Sequence, residues 1–305
     1  DLSVADLLKN MIFRNVSEDE DSGEDPALIK WESMKKNLKE CDIEVAKFVR
    51  YHWISSRETV TMGNLYKSVK GATTTRGWED LLDNLHSDSK LLNVLRNGSI
   101  PNPNSLVAIG RVNDKLKAIN ELGFSQCYVL LLSIFRNRER LDYSWESFLK
   151  MVSEIENFNF TYHMICRHPA NRVEAFYSRR AIKIDKIRND SDSLARFNSN
   201  IERIYNELNH IRPRRQEFIE NFKERTMYTN STKKKKLIRY ILGRVEEFSY
   251  PDEFAERPID NSISIEHILP QSPEQFWGLT EDVVLPYVHS IGNLVLVGIG
   301  FNSSA

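Results

Sequence analysis

Apolar residues recur at steps of three and four along most of this chain, which is the spacing of one buried helix face. The pattern predicts a succession of amphipathic helices up to about residue 250. The segments that it marks are residues 2–13, 26–38, 43–53, 78–95, 106–122, 143–158, 162–166, 173–187, 193–208, 214–225 and 233–248. Pro26 suits the first turn of its helix, and Gly123 is placed to end another.

Periodicity does not decide the structure of the most apolar run, residues 127–135, because a fully buried helix and a fully buried strand look alike over so short a length. The neighbouring segments are helical, which favours a buried central helix. A strand remains the alternative for this run.

The pattern changes after Pro251. Isoleucines that alternate with serines predict a short strand over residues 262–268, and residues 293–297 are a second strand candidate. The connection between them, residues 271–290, is long for a compact domain, and such connections are more often functional than idle. A helix that starts near Phe301 would complete a strand–strand–helix unit.

These elements predict a mainly α protein in which a multi-helix domain precedes a small strand–strand–helix domain. A length of 305 residues suits about two domains. The predicted parts are residues 1–70 as a helical segment, 71–250 as a helical domain with a basic C-terminal half, and 251–305 as the small domain. The first residue is not a methionine, and the chain ends where the last motif should open into a helix, so we expect further segments on both sides.

Composition is that of an ordinary soluble globular protein, with 41% hydrophobic and 28% charged residues. No apolar run approaches the roughly 20 residues that span a bilayer, so we expect no membrane partner. The three cysteines are far apart and form no Cys-x-x-Cys pair, which argues against disulfides and against structural zinc. The simplest compartment is a reducing cytoplasm.

The net charge is −1, but positive and negative residues are unevenly distributed along the chain. Residues 17–25 are strongly acidic and read as a solvated loop. Residues 161–247 hold 20 lysines and arginines against 11 aspartates and glutamates, which is a surplus typical of proteins that bind polyanions. The residues predicted to contact DNA phosphates are Arg212, Arg214, Arg215, Lys233, Lys234, Lys235 and Lys236.

Polar residues with nuclease chemistry surround the two predicted strands. Glu266-His267 is followed by Pro270, then by Asn293 and Asn302, which is the acid–His … Asn … Asn order of an HNH nuclease site. A carboxylate and an amide oxygen suit Mg²⁺ or Mn²⁺, so Glu266 and Asn302 are the predicted metal ligands. His267 is the predicted general base, and Asn293 would hold either its imidazole or the corner backbone.

The other histidines are predicted to have different roles. His289 precedes the second strand, where a structural or phosphate-contacting role is expected rather than a catalytic one. The histidines expected to be structural are His52, His86, His163, His168 and His210. Glu246 and Glu247 read as a solvated helix end.

Several motifs together resemble a known family. IEHILPQ, a following tryptophan, IGNLVLV and a trailing asparagine look like the HNH-type C-terminal domain of GmrSD-like modification-dependent restriction proteins and of related SspE-type phage-defence nucleases. The upstream YILGRVEE fits the helix before that motif, while ADLLKNMIF and WESMKKNL resemble the tail of a ParB-like nucleotide-hydrolysing domain. The middle of the chain matches only as a generic helical region.

The resemblance implies a metal-dependent DNA endonuclease or nickase that acts in restriction or phage defence on DNA, modified or not. It assigns the nuclease site to Glu266, His267 and Asn302, with Asn293 in support. The family's lysine after the last asparagine and its nucleotide-binding motifs are missing here, so any NTP dependence belongs to a domain absent from this chain. A homo-oligomer or a partner NTPase domain is also implied. The alternatives are a helical DNA-binding module with an inactive HNH tail and a regulatory adaptor.

Overall fold

The computed structural model describes residues 3–16, 25–73, 77–227, 231–250, 263–272 and 278–298. Its contacts divide the chain into two compact units, Asp1–Pro213 and Arg214–Ala305, called unit 1 and unit 2 below. The domain boundaries predicted at residues 70 and 250 stay a prediction.

Helices build the whole described part of unit 1. They are α1 Val4–Val16, α2 Pro26–Glu40, α3 Val45–Ser56, α4 Leu65–Ala72, α5 Gly77–Asn97, α6 Val107–Glu121, α7 Tyr128–Asn137, α8 Trp145–Asn159, α9 Ala170–Asp185 and α10 Ser193–Ile211. A 3-10 turn at Met62–Asn64 precedes α4, and a π-helix at Phe160–Ile165 continues α8. Every helical segment predicted in this unit overlaps one of these elements, and the mainly α class is confirmed.

The ends of two helices follow the predicted signals. Pro26 is the first residue of α2, and the Asp25 side chain accepts a hydrogen bond from the amide of Ala27 at 2.8 Å. Gly123 follows α6 with a positive φ of 77°, and the next amide, that of Phe124, returns to the carbonyl of Ile119 at 3.0 Å. Such a left-handed residue is the usual end of a helix that turns sharply.

The apolar run predicted as a central helix forms α7. Residues 127–134 are all buried, and α7 packs against α3, α5 and α9. A helix that is buried along most of its length has little polar surface, which is why periodicity alone did not distinguish it from a buried strand. None of the described helices, α7 included, is both long and apolar enough to cross a membrane.

A buried ionic network lies between helices of unit 1. Asp88 is 2% exposed, accepts a hydrogen bond from Arg136 Nε at 2.8 Å and lies 2.6 Å from His52 Nδ1. Arg136 also donates to Asp185 at 2.6 Å. Burial acts to raise the pKa of Asp88, but the charge of Arg136 and the hydrogen bond from His52 hold that pKa below its ordinary value. His52 thus has a structural place in the helical core.

Unit 2 combines helices with one pair of strands in its described part. Its elements are α11 Arg215–Lys223, α12 Thr232–Ser249, β1 Ile263–His267, α13 Glu281–Val288 and β2 Leu294–Gly298, with a 3-10 turn at Ile291–Asn293 before β2. The strands are antiparallel and run in register from the pair Ile263–Gly298 to the pair His267–Leu294. Leu237, Ile238, Val284, Val288 and Leu294 are buried in this unit.

The two predicted strands are present at β1 and β2, and part of the long connection between them is helical. It contains α13, an eight-residue helix that includes Pro286. The helix expected from Phe301 and the acidic loop at residues 17–24 lie outside the described residues.

Candidate functional site

The strand pair carries Glu266 and His267 to one end of the sheet. His267 is the last residue of β1 and pairs with Leu294, the first residue of β2. The amide of Ile268 then donates to the carbonyl of Asn293 at 2.9 Å. The regular strand pair therefore ends at His267, three residues before Pro270.

Asn293 fixes the chain that follows β1. It is 8% exposed, and its side-chain oxygen accepts from the amide of Leu269 at 2.7 Å. Its side-chain nitrogen donates to the carbonyl of Leu269 at 3.0 Å and to that of Val288 at 3.0 Å. One amide group thus ties the end of β1 to the end of α13. Of the two roles considered for Asn293, this geometry corresponds to holding the corner backbone.

The His267 imidazole is half-buried, and among the described residues the side chains of Gln271 and His289 lie beside it. The side-chain nitrogen of Gln271 lies 3.3 Å from Nδ1 and 3.4 Å from Nε2. A donor that forms a good hydrogen bond with an imidazole lies in the ring plane beside one of the two nitrogens. The Gln271 amide is almost equally far from both ring nitrogens, which places it over the ring face. The second neighbour is His289, whose ring centroid lies 5.8 Å from that of His267 at an interplanar angle of 75°.

The surroundings of His267 favour its neutral form. Burial lowers the pKa of His267 from its ordinary value, the approach of His289 lowers it further, and the Glu266 carboxylate acts in the opposite direction. A histidine with a lowered pKa is unprotonated at neutral pH and can accept a proton.

His289 is held in place through its backbone. It caps the C-terminus of α13, and its carbonyl accepts a hydrogen bond from the amide of Met227 at 2.7 Å. Met227 is 2% exposed, so this hydrogen bond is anchored in the interior of unit 2. The sequence contains no signal that pairs His289 with His267, because the two are far apart along the chain and share no period.

Glu266 supplies a half-buried carboxylate next to His267 and opposite Val295 in the strand pair. Successive residues of a strand point to opposite faces, so Glu266 and His267 diverge within β1. Nowhere in the described part of the chain do three or more His, Cys, Asp or Glu side chains form a ready cluster for a metal ion. A single carboxylate fits a hard cation that keeps most of its water, such as Mg²⁺. Asn302, the other predicted ligand, lies outside the described residues.

The predicted DNA-contacting residues fall into three groups. Lys233 to Lys236 are exposed in the first turn of α12, and Arg214 and Arg215 are exposed at the start of α11. Arg212 belongs to unit 1, where it is paired with Glu154. The two groups other than Arg212 are exposed to solvent, whereas Arg212 is half-buried and paired with a carboxylate.

Comparison with known proteins gives a match for the segment that contains this site. Residues 212–305 match the family model of GmrSD restriction endonucleases, C-terminal domain. No curated protein matches the chain. The resemblance stated from the sequence motifs is confirmed for this segment, which is similar to the C-terminal domain of a restriction endonuclease. The resemblance of residues 1–70 to a ParB-like tail stays a prediction.

Proposed function

We propose that this chain is the metal-dependent DNA endonuclease or nickase module of a modification-dependent restriction or anti-phage defence protein. The observation that carries the proposal is the position of His267, which closes β1 next to Glu266 where Asn293 ties down the chain that follows. These residues lie inside the segment that matches the restriction endonuclease domain.

His267 acts as the general base in this proposal. Its neutral imidazole takes a proton from a water molecule, which forms a new bond to the phosphorus of a phosphodiester while the bond to the 3′ oxygen breaks. The leaving oxygen then takes a proton from solvent. A positioned base typically contributes about 10²–10⁴ in rate.

Glu266 would hold a divalent cation, Mg²⁺ or Mn²⁺, together with Asn302. When bound, such a cation neutralises charge on the phosphate and on the leaving oxygen. Asn293 keeps the backbone between His267 and Pro270 in one conformation, so that the base meets the phosphodiester in a constant position. NTP dependence enters only through a separate domain.

The lysine cluster, Lys233 to Lys236, would contact the DNA backbone. A helix N-terminus carries partial positive charge, so four lysines in the first turn of α12 do not stabilise that helix. The same placement attracts phosphate, because exposed backbone amides and ammonium groups both favour an anion. We therefore assign this turn to positioning the duplex, with Arg214 and Arg215 as further phosphate contacts.

Replacement of Lys233 to Lys236 with alanine is expected to weaken DNA binding and to flatten its dependence on salt. Each lost phosphate contact reduces the slope of log affinity against log salt by about 0.9, or by up to about 3.6 for all four. Preference for modified DNA should not change, because phosphate contacts do not read bases. Binding titrations at several salt concentrations measure both effects, and an unchanged slope would place the DNA path elsewhere. Lys35, Lys36 and Lys39, replaced together in unit 1, are the matched control.

Plasmid cleavage tests the proposed activity directly. The purified chain is expected to nick or linearise supercoiled plasmid with Mg²⁺ and to stop when EDTA is added. Chelation should lower the melting temperature by no more than about 2 °C, because the proposed metal is catalytic and not structural. Modified and unmodified plasmids should be compared in parallel. DNA binding without cleavage would favour a binding module with an inactive tail, and a large fall in melting temperature would contradict the metal assignment.

A further inference from the structure

We propose that His289 is a positioning residue, whose imidazole holds the His267 ring in its working orientation by an edge-to-face contact. This inference rests on the proposed function, because it gives His289 a part in the same reaction. It differs from the structural or phosphate-contacting role that the sequence suggests for His289.

The first argument is that backbone contacts alone do not fix the His267 ring. His267 closes β1, so its main chain is held by the strand pair, but the side chain emerges where the regular strand ends. Ile268, the next residue, is 63% exposed, and Gln271 is exposed as well. The Gln271 amide over the His267 ring therefore belongs to a solvent-exposed side chain, which restrains the ring only weakly.

His289 is better placed to restrain that ring. The 5.8 Å separation and 75° interplanar angle of the two imidazoles are within the range of favourable edge-to-face aromatic pairs. The backbone of His289 is anchored by the hydrogen bond from the amide of Met227 and by its neighbour Val288, which is 3% exposed. A rigid main chain thus presents the second imidazole to the first.

The anchoring of His289 also makes the proposal testable. The contact with Met227 uses the carbonyl of His289, so a side-chain substitution leaves that hydrogen bond in place. His289→Ala removes the ring, whereas His289→Phe keeps an aromatic ring without its nitrogens. Tyr287→Ala is the matched control, because Tyr287 lies in the last turn of α13 and is 63% exposed.

Single-turnover plasmid cleavage with Mg²⁺, measured at saturating protein, tests the positioning role. His289→Ala is expected to slow cleavage by about 10- to 100-fold with DNA affinity unchanged, since small displacements of a reacting group cost rates of this order. His289→Phe should recover to within about threefold of the original rate, and Tyr287→Ala should match the original chain. The proposal would be overturned if His289→Phe cleaves as slowly as His289→Ala, or if His289→Ala cleaves at the original rate. A loss of DNA affinity at an unchanged cleavage rate would also overturn it, and would instead indicate that His289 contacts a phosphate.

Nuclear magnetic resonance of the ring protons separates this inference from the proposed function. The His267 ring resonances, assigned by their loss in His267→Ala, should shift in His289→Ala and stay in place in Tyr287→Ala. This measurement does not need DNA cleavage. If the chain fails to cut DNA, the nuclease proposal is refuted, but the resonance shifts still test the contact between His289 and His267. Unshifted His267 resonances in His289→Ala would rule out the positioning contact.

Discussion

His267→Ala is expected to slow DNA cleavage by about 10²–10⁴ while DNA affinity and helical content stay nearly unchanged. The imidazole is the proposed proton acceptor; it is half-buried at the end of β1, its pKa is lowered by burial, and no part of the described core is built on it. Its removal should therefore act on the chemical step. Cleavage rates at saturating protein, binding titrations and circular dichroism measure the three quantities.

The matched control for His267→Ala is His210→Ala, which removes an exposed imidazole at the end of α10 in unit 1. That variant should cleave at the original rate. If His267→Ala cuts as fast as the original chain, His267 has no part in the mechanism. If it loses DNA affinity in proportion to its rate, the imidazole binds the substrate and is not the base.

The helices and strands followed from local signals wherever one face of an element meets the core. The isoleucines of β1 alternate with polar residues as in a strand, although all five residues of β1 are half-buried. The helices of unit 1 show an apolar stripe because one face of each packs inward. Those signals give no information where burial is complete, so α7 could be read as helix or strand. The helical segments on either side of α7, and not a period within α7 itself, are what favoured a helix.

No local signal predicted a helix in the connection between the strands, which contains Pro273, Trp277 and Pro286. Pro286 nevertheless lies inside α13. Pro286 is the sixth residue of this eight-residue helix, so its missing amide removes the hydrogen bond that would reach the carbonyl of Asp282. Tertiary contacts through buried Val284 and Val288 outweigh the local preference.

Order along the chain identified the candidate chemistry but not its spatial arrangement. The sequence named Glu266, His267 and Asn293 from motif spacing alone. It left open whether Asn293 holds an imidazole or the backbone, because both roles need the same amide at the same position. It also separated His289 from the site, although the rings of His267 and His289 are neighbours. That contact depends on α13, the helix that local signals failed to predict.

Asn293→Ala is expected to lower the free energy of unfolding of unit 2 by about 2–4 kcal/mol, since each buried polar group left unpaired costs about 1–3 kcal/mol. The substitution leaves the amide and carbonyl of Leu269 and the carbonyl of Val288 without their side-chain partner. Cleavage should fall about 100-fold, because the chain next to His267 loses its fixed conformation.

Hydrogen exchange tests this local effect of Asn293→Ala. The amide of Leu269, which donates to the Asn293 side chain at 2.7 Å, should exchange faster at temperatures well below unfolding. Asn221→Ala is the matched control, because the Asn221 side chain donates to the carbonyl of Glu217 within α11, at 2.9 Å, and bonds no other segment that the structure describes. Equal losses of stability in the two variants, with Leu269 still protected, would mean that Asn293 is an ordinary buried asparagine. A larger loss at Asn293 that accompanies the fall in cleavage would identify it as the residue through which the fold holds the base in place.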